Sequence, residues 1–411
     1  MLKPLIFAAL TVSSIACHGL IGQASATGLL QTSGTTIVDA AGKSVHLAGF
    51  NLGGWFVMES FMSPMDSGHQ LNDSWSVMNT LASRFGETTE RQLITTYQTS
   101  WITDNDIANI ADAGFNLVRI PLWWGQFFAL NDQTPSGWRS ADAFTQLDAI
   151  IQSCANHGVY AILDMHGVIG GQSTASNTGR ASQNTYWTDT TAQQNTAWMW
   201  QQIAAHYKGN TTIAGYDLIN EPAPPSSMPL KATVLAAYDQ LYSAVRDVDP
   251  GHIIFVEATF GSWTLSMLPS PKDHGWSNVA YELHAYNWPK SGQTSDEIAS
   301  AVEAGSDKVV TDVQNHASWN VPTYVGEFND FSADASVWKY SISDYNAAGL
   351  SWSVWSYKAV NGVAPNYWGY YDPWHWPTRP NPATDTKTAI GQYWTNWSTI
   401  SAFSLNTALG F

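Results

Sequence analysis

The stretch "AGYDLINEP" (residues 214–222) ends an apolar, strand-like run on two polar residues and a proline. Continuous apolar character is typical of a strand that is buried on both faces, as in parallel sheets. The run then presents Asn220 and Glu221 side by side, and Pro222 stops the strand because proline cannot donate to a sheet ladder. In parallel α/β folds, functional groups collect where strands end. The stretch therefore predicts a buried strand with a functional site at its carboxyl end.

Other apolar runs share this character, and helix-like stretches alternate with them. The eight predicted strands are 44–50, 115–120, 159–166, 214–221, 252–258, 278–286, 322–328 and 349–355. The predicted helices, with apolar residues three and four positions apart, are 103–113, 141–157, 191–207, 230–247, 295–316 and 335–348. This alternation favours parallel pairing with right-handed crossovers, so we predict an α/β fold, a single-domain (β/α)8 TIM barrel. An open doubly wound sheet is the alternative, but it predicts a glycine-rich phosphate turn that the sequence lacks.

Two features precede the barrel pattern. Residues 1–26 combine a lysine, a short apolar stretch and a final small-residue triplet, Ala24-Ser25-Ala26, which is typical of a signal peptide. We therefore expect a secreted protein, extracellular or periplasmic, whose single domain spans 27–411. The alternatives are a membrane anchor, for which the apolar stretch is short, and lipidation at Cys17, which the preceding residues do not favour. Residues 35–47, with a turn at 39–42, predict a β-hairpin before the first barrel strand.

The composition excludes some classes of partner. Hydrophobic residues make up 44% of the chain and charged residues 12%, with a formal net charge of -16. Such a chain repels nucleic acid and anionic membranes. The chain also has 21 Trp, 17 Tyr and 15 Phe, whose flat faces and polar edges suit sugar rings as well as a protein core. We expect a monomer with a carbohydrate partner, no nucleic-acid partner and no membrane partner.

Polar side chains follow most of the predicted strands. In chain order they are Asn51, Glu59, Arg119, His166, Asn220, Glu221, Glu257, His284, Tyr286 and Glu327, with Trp355 after the last strand. Each has a structural explanation, an ion pair or a packed histidine. That explanation is weakest for Glu221 and Glu327, because a lone buried carboxylate is costly. Two carboxylates on one rim indicate glycoside hydrolysis. The sequence has no compact metal-ligand spacing, nucleophile elbow or phosphate loop, so we predict no metal and no cofactor.

Several of these residues lie in motifs of a known family. The motifs are "LINEP" (218–222), "YVGEF" (324–328), "HAY" (284–286), "VRIP" (118–121) and "LDMHG" (163–167). Through them the chain resembles glycoside hydrolase family 5, retaining β-glycanases on a (β/α)8 barrel, over about residues 36–360. The resemblance implies that Glu221 is the general acid/base and Glu327 the nucleophile.

The resemblance also implies roles for the surrounding residues. Asn220 would bind the sugar 2-hydroxyl, Arg119 and Tyr286 would hydrogen-bond the nucleophile, and His166, His284 and Trp355 would line the subsite at the cleaved bond. We further expect the charge of Glu327 to hold up the pKa of Glu221.

Within the family, residues 47–62 and 85–122 are similar to the exo-β-1,3-glucanase branch. That branch implies that Glu59 binds the terminal sugar. It also carries Phe-Asp-Asn-Ser-Gly after the third strand, where this chain has Ser176 in place of the aspartate. Trp124, and Trp368 in the aromatic loop 366–382, are predicted to extend the sugar cleft, although packing explains either equally well.

The predicted function is a secreted retaining hydrolase of β-1,3- or β-1,4-linked glucan. The sequence leaves open endo or exo action. It also leaves open a β-mannanase, a xylanase, a glycolipid glycosidase and a non-catalytic carbohydrate-binding barrel.

Overall fold

The computed structural model describes residues 28–66, 71–332, 334–360 and 368–410, and it begins with a β-hairpin. Strands β1 (Gln31–Ser33) and β2 (Thr36–Val38) pair antiparallel across a turn at Gly34, whose φ of 62° suits a residue without a side chain. The predicted N-terminal hairpin is therefore present, but its ladder lies earlier than the predicted 35–47. The predicted turn at 39–42 also forms. The Asp39 carboxylate accepts hydrogen bonds from the backbone N–H groups of Ala41 and Lys43. A single bridge joins Val38 to Ser44.

The centre of the molecule is a closed barrel of eight parallel strands, in which each strand pairs with the next along the chain and the last pairs with the first. These strands are β3 (Ala48–Asn51), β4 (Leu117–Trp123), β5 (Tyr160–Gly167), β6 (Ile213–Asp217), β7 (Ile253–Glu257), β8 (Val279–Tyr286), β9 (Thr323–Asn329) and β10 (Ser351–Val354). The prediction of a TIM barrel is confirmed. A small antiparallel sheet of β11 (Tyr371–Pro373) and β12 (Phe403–Leu405) follows it.

Helices surround the barrel. They are α1 (Ser74–Phe85), α2 (Glu87–Trp101), α3 (Asp104–Asp112), α4 (Trp124–Phe127), α5 (Thr145–His157), α6 (Thr190–Tyr207), α7 (Leu230–Val248), α8 (Ser295–Asn315), α9 (Ala335–Ala347), α10 (Lys387–Thr395) and α11 (Thr399–Ala402). The six predicted helices correspond to α3 and to α5–α9. Their ends have local causes: a capping box at Thr294 starts α8, and left-handed Gly158 ends α5.

The hairpin closes the amino-terminal end of the barrel. Leu30 and Ile37 of the hairpin pack with Leu117 and Tyr160, the first residues of β4 and β5, in a buried apolar cluster separate from the main core. The main core lies between the barrel and the helices. The hairpin thus covers the amino-terminal end of the barrel. The polar strand-end residues collect at the opposite end, where the strands finish.

Two further features concern the helices and the cysteines. Within the described residues, no helix is both long enough and apolar enough to cross a bilayer. The predicted signal peptide (1–26) and Cys17 lie outside the described residues, and Cys154 is a free, buried thiol in α5. Burial raises the pKa of this thiol, which suits a packed side chain rather than a nucleophile.

Candidate active site

The two candidate catalytic glutamates face each other at the carboxyl end of the barrel. Glu327 is on β9, and Glu221 is four residues past the end of β6. They are 3% and 7% exposed, and one oxygen of each lies within 4.8 Å of the other. Carboxyl groups about 5 Å apart are typical of retaining glycosidases, whereas inverting enzymes separate them by about 6.5–9.5 Å. The pair therefore has the spacing of a double-displacement mechanism.

Glu327 is held by donors on both of its oxygens. Arg119 Nη1 donates to Oε1 at 2.9 Å, and the Tyr286 hydroxyl donates to Oε2. His284 Nδ1 lies 3.5 Å from Oε2. The two donors stabilise negative charge on this carboxylate and fix its orientation. The structure thus places Arg119 and Tyr286 as the resemblance implies.

Glu221 has weaker support for a negative charge. His284 Nδ1 lies 3.0 Å from its Oε1, and the Asn177 amide donates to Oε2 at 2.9 Å. Burial raises the pKa of Glu221, against the lowering effects of the Arg119 charge and the Asn177 hydrogen bond. The expected cause, the charge of Glu327, is therefore not the main one. A carboxyl group with a raised pKa is suited to donate a proton and later accept one.

Arg119 is the centre of a buried ion cluster inside the barrel. Its guanidinium lies 3.1 Å from Asp164, 2.6 Å from Asp217, 3.1 Å from Glu282 and 2.9 Å from Glu327. One cation cannot neutralise four buried carboxylates. Burial and the neighbouring carboxylates raise the pKa values of Asp164 and Glu282 well above their ordinary values, against the lowering effect of Arg119.

Asn220 is also attached to this cluster, because its Oδ1 accepts from Arg119 Nη2 at 2.9 Å. Its buried Nδ2 has no hydrogen-bond partner among the described residues. A buried donor without a protein partner favours a ligand acceptor, and a sugar hydroxyl satisfies it.

His166 and Trp355 form one wall of the site. Their rings stack at 5.2 Å between centroids with an interplanar angle of 11°, and His166 Nδ1 lies 2.7 Å from Asp164. Burial lowers the pKa values of His166 and His284 to about 4, so both imidazoles are neutral near pH 7. His284 thus contacts both glutamates, and Trp355 stacks on His166, whose Nδ1 lies 4.0 Å from Glu327; their predicted roles at the cleaved bond stay predictions.

Glu59 extends the site toward α1. Its Oε2 accepts from the Ser176 hydroxyl at 3.1 Å, next to the Asn177 that contacts Glu221. Burial raises the pKa of Glu59 to about 8, and the charges of Glu327 and Glu221 act in the same direction. The effect of those charges places Glu59 in the same electrostatic environment as the glutamate pair.

Five aromatic rings pack in one cluster, here called the aromatic wall: Phe61, Tyr286, Trp288, Phe331 and Trp368. Trp368 lies 5.0 Å from Phe61 and 4.8 Å from Phe331 between ring centroids. Trp288 is 59% exposed, so the wall has an open indole face that a sugar ring can cover. The sequence indicated Trp368 but not Phe61, Trp288 or Phe331.

Trp124 is placed elsewhere. It begins α4, is 2% exposed and packs against Trp123 at 5.0 Å between ring centroids, within the main hydrophobic core. Its large apolar surface is already covered by protein. The structure thus places Trp124 in the hydrophobic core, and its predicted place in the sugar cleft stays a prediction.

The barrel end contains groupings that a metal ion could in principle use. Glu221, His284 and Glu327 form one, and Glu257, Glu282 and His284 form another, each with ligand atoms within 4.8 Å. Arg119 already supplies a cation at 3.1 Å from Glu282 and 2.9 Å from Glu327. The predicted independence of metal ions and cofactors stays a prediction.

A TIM barrel with two carboxyl groups at retaining distance defines a class of protein, the retaining glycoside hydrolases. The sequence model of the cellulase family (glycosyl hydrolase family 5) matches residues 82–361. The chain belongs to glycoside hydrolase family 5, and the family resemblance is confirmed.

Named relatives differ in the sugar they act on. The chain is 29% identical over 351 residues to a beta-xylosidase of Phanerodontia chrysosporium, covering 80% of this chain and 71% of the relative. It is 28% identical over 333 residues to a glucan 1,3-beta-glucosidase of Candida oleophila, covering 75% and 72%. The crystal structure of rutinosidase from Aspergillus niger superimposes with a TM-score of 0.62 at 17% identity, over 85% of this chain and 98% of that one. The last likeness concerns the fold alone.

Proposed function

We propose that this family 5 enzyme hydrolyses β-glucosidic bonds of glucan by double displacement, with Glu221 as general acid/base and Glu327 as nucleophile. The observation that carries the proposal is the separation of at most 4.8 Å between oxygens of the two buried glutamates. Their unequal surroundings support the assignment of roles. Arg119 and Tyr286 donate to Glu327, whereas burial raises the pKa of Glu221.

The reaction proceeds in two inversions. Glu327 attacks the anomeric carbon while Glu221 gives its proton to the leaving oxygen, which forms a covalent glycosyl-enzyme. Glu221, now ionised, takes a proton from water, and the water displaces Glu327 from the sugar. The product keeps the β configuration. The free amide of Asn220 binds the 2-hydroxyl, and Trp355 lies beneath the sugar ring.

The substrate is proposed as a β-linked glucan cleaved from its end. Glu59, with the hydroxyl of Ser176, supplies polar groups for a terminal sugar close to the glutamate pair. The aromatic wall offers a stacking surface for the sugar that leaves. The relative named glucan 1,3-beta-glucosidase supports this choice. A β-xylosidase is the second candidate, because the beta-xylosidase of Phanerodontia chrysosporium matches more of this chain.

A substrate panel tests the proposal. The purified protein is assayed on laminarin, cello-oligosaccharides, xylo-oligosaccharides and the aryl β-glucoside and β-xyloside, with product anomers followed by proton NMR. We expect glucose released from laminarin as the β anomer before mutarotation. Xylose release without glucose release would favour the second candidate, and an initial α anomer would refute double displacement.

We also propose that the protein is secreted after cleavage near Thr27, on the basis of the predicted signal peptide. Intact-mass analysis of material from the culture medium is the test. Retention of residues 1–26, or a lipid on Cys17, would contradict the proposed processing.

A further inference from the structure

Glu221 has an unusual backbone for its residue type. Its φ is 44°, in the left-handed region that residues with side chains seldom adopt. It lies between Asn220 and Pro222, past the end of the β6 ladder. Such conformations persist only where surrounding contacts specify them, and they cluster at functional sites. The direction of the Glu221 carboxyl group therefore depends on what holds this backbone.

Hydrogen bonds anchor the segment on both sides of Glu221. Trp200 donates to the Leu218 carbonyl, Tyr238 to the Ile219 carbonyl, Gln172 to the Asn220 carbonyl, and Phe260 N–H to the Pro222 carbonyl, while the Asn220 N–H donates to Met165. The N–H of Glu221 itself donates to Glu257 Oε2 at 2.9 Å. Two side chains thus hold the peptide group between Asn220 and Glu221: Gln172 donates to its carbonyl, and Glu257 accepts from its N–H.

Glu257 is itself firmly placed. It is the last residue of β7, the neighbour of β6, and it is buried. The Tyr238 hydroxyl donates to the Glu257 carbonyl at 2.9 Å and also reaches the Ile219 carbonyl at 3.2 Å. One tyrosine therefore ties the backbone of Glu257 to the segment that carries Glu221.

We propose that Glu257 is a positioning residue for acid/base catalysis, which holds the Glu221 backbone in its left-handed conformation and so aims the Glu221 carboxyl at the leaving oxygen. The inference rests on the proposed acid/base role of Glu221. Glu257 acts through the Glu221 backbone rather than through the reacting atoms.

An acceptor oxygen, rather than a charge, is what this role requires. The Glu221 N–H needs only an acceptor oxygen, which a neutral carboxyl also offers, and burial and the nearby charge of Asp217 raise the pKa of Glu257 well above its ordinary value. A glutamine has a carbonyl oxygen at the same reach. A leucine has similar bulk and no acceptor, and an aspartate draws the acceptor back by one carbon.

The test compares kcat/KM for two aryl or alkyl β-glycosides of whichever sugar the parent enzyme hydrolyses. One carries 2,4-dinitrophenolate, which leaves without a proton, and the other carries methoxide, which needs one. Proton donation contributes about 10²–10⁴-fold to such reactions. We expect Glu257→Leu to lower kcat/KM on the methyl glycoside at least about tenfold more than on the dinitrophenyl glycoside. The ratio of kcat/KM on the dinitrophenyl glycoside to kcat/KM on the methyl glycoside therefore rises in Glu257→Leu. It also rises in Glu257→Asp, whereas in Glu257→Gln it stays within about threefold of the parent ratio.

Three comparisons decide the outcome. Glu90→Leu removes an equally buried carboxylate of α2, outside the site, and leaves the ratio unchanged. Equal losses on both substrates in Glu257→Leu and Glu257→Asp, or a Glu257→Gln variant as selective as the leucine variant, would overturn the proposal. Glu221→Ala is measured in parallel. If Glu221→Ala loses activity equally on both substrates, the acid/base role of Glu221 is wrong. If Glu221→Ala is selective and the Glu257 variants are not, only the positioning role of Glu257 is wrong.

Discussion

Replacing Glu59 by glutamine tests the electrostatics of the site through the stability of the fold. Burial raises the pKa of Glu59 to about 8 from an ordinary value of 4.5. Between these two values the unfolded chain loses the proton while the folded chain keeps it. The contribution of Glu59 to the free energy of unfolding is therefore complete below pH 4.5, and it is lost as the pH rises toward 8.

The size of the effect follows from the two pKa values. Each pH unit inside the window corresponds to about 1.4 kcal/mol, which gives a ceiling of about 5 kcal/mol across it. Water penetration reduces the effect, and we expect at least about 2 kcal/mol to remain. Glutamine has no proton to lose. The free energy of unfolding of Glu59→Gln, minus that of the parent, should therefore rise by about 2–5 kcal/mol from pH 4.5 to pH 8.

Urea unfolding of both proteins at pH 4.5, 6 and 8, at constant ionic strength, measures this difference. The other buried acids are common to both proteins, so their contributions cancel. Glu303→Gln, which changes an exposed carboxylate of α8, is the matched control. A Glu59→Gln difference that stays constant within about 0.5 kcal/mol would refute the reasoning, because Glu59 would then ionise in the folded protein as it does in the unfolded chain.

Three further predictions concern catalysis. Tyr286→Phe removes a donor to Glu327 and should lower kcat/KM about 10–100-fold without a comparable loss of melting temperature. Trp355→Ala should reduce kcat/KM per folded molecule, as judged by circular dichroism; a variant that melts early but hydrolyses normally would give Trp355 a packing role only. Dialysis against a strong chelator should leave the rate unchanged, whereas a loss restored by zinc or calcium would contradict metal-free catalysis.

The strand-end residues were predictable because parallel strands in a barrel bring their carboxyl ends to one rim. A correct strand assignment was enough to predict that five residues lie on this rim: Arg119, His166, His284, Tyr286 and Glu327. The conformation of Glu221 was not predictable in this way, because the apolar run continues to Ile219 while the β6 ladder ends at Asp217. Leu218 and Ile219 are buried outside the ladder, so hydrophobicity alone does not mark where the strand stops.

The inward-facing acids were harder to infer. Asp217 and Glu282 lie inside apolar strands, where a sequence pattern gives no sign of the arginine that they share. Gly326 in "YVGEF" is one local sign, because a Cβ at this position would lie 1.6 Å from Glu282 Oε1. The core placement of Trp124 was hidden for a related reason. An indole that packs in the core and one that lines a cleft have the same sequence pattern.

The aromatic wall combines residues from separate loops. Phe61, Trp288 and Phe331 follow β3, β8 and β9, respectively, and of these only Phe61 lies in a stretch, 47–62, that resembles a branch of the family. Their assembly depends on loop conformations that the hydrophobic pattern does not determine. For the same reason the contact of Asn177 with Glu221 emerged only from the fold, although the neighbouring Ser176 was visible as a departure from the family pattern.

The roles of Glu221 and Glu327 are tested most directly by the anomer of the azide product formed by their alanine variants. Glu221→Ala can still form the glycosyl-enzyme from a substrate with an activated leaving group, and azide then replaces the water that Glu221 would have activated. The account predicts a β-glycosyl azide, the product of two inversions. Glu327→Ala lacks the nucleophile, so azide attacks the substrate directly and gives the α-glycosyl azide by one inversion. The opposite pairing of anomers and variants would reverse the assignment, and near-normal activity of both variants on an unactivated glucan would contradict it altogether.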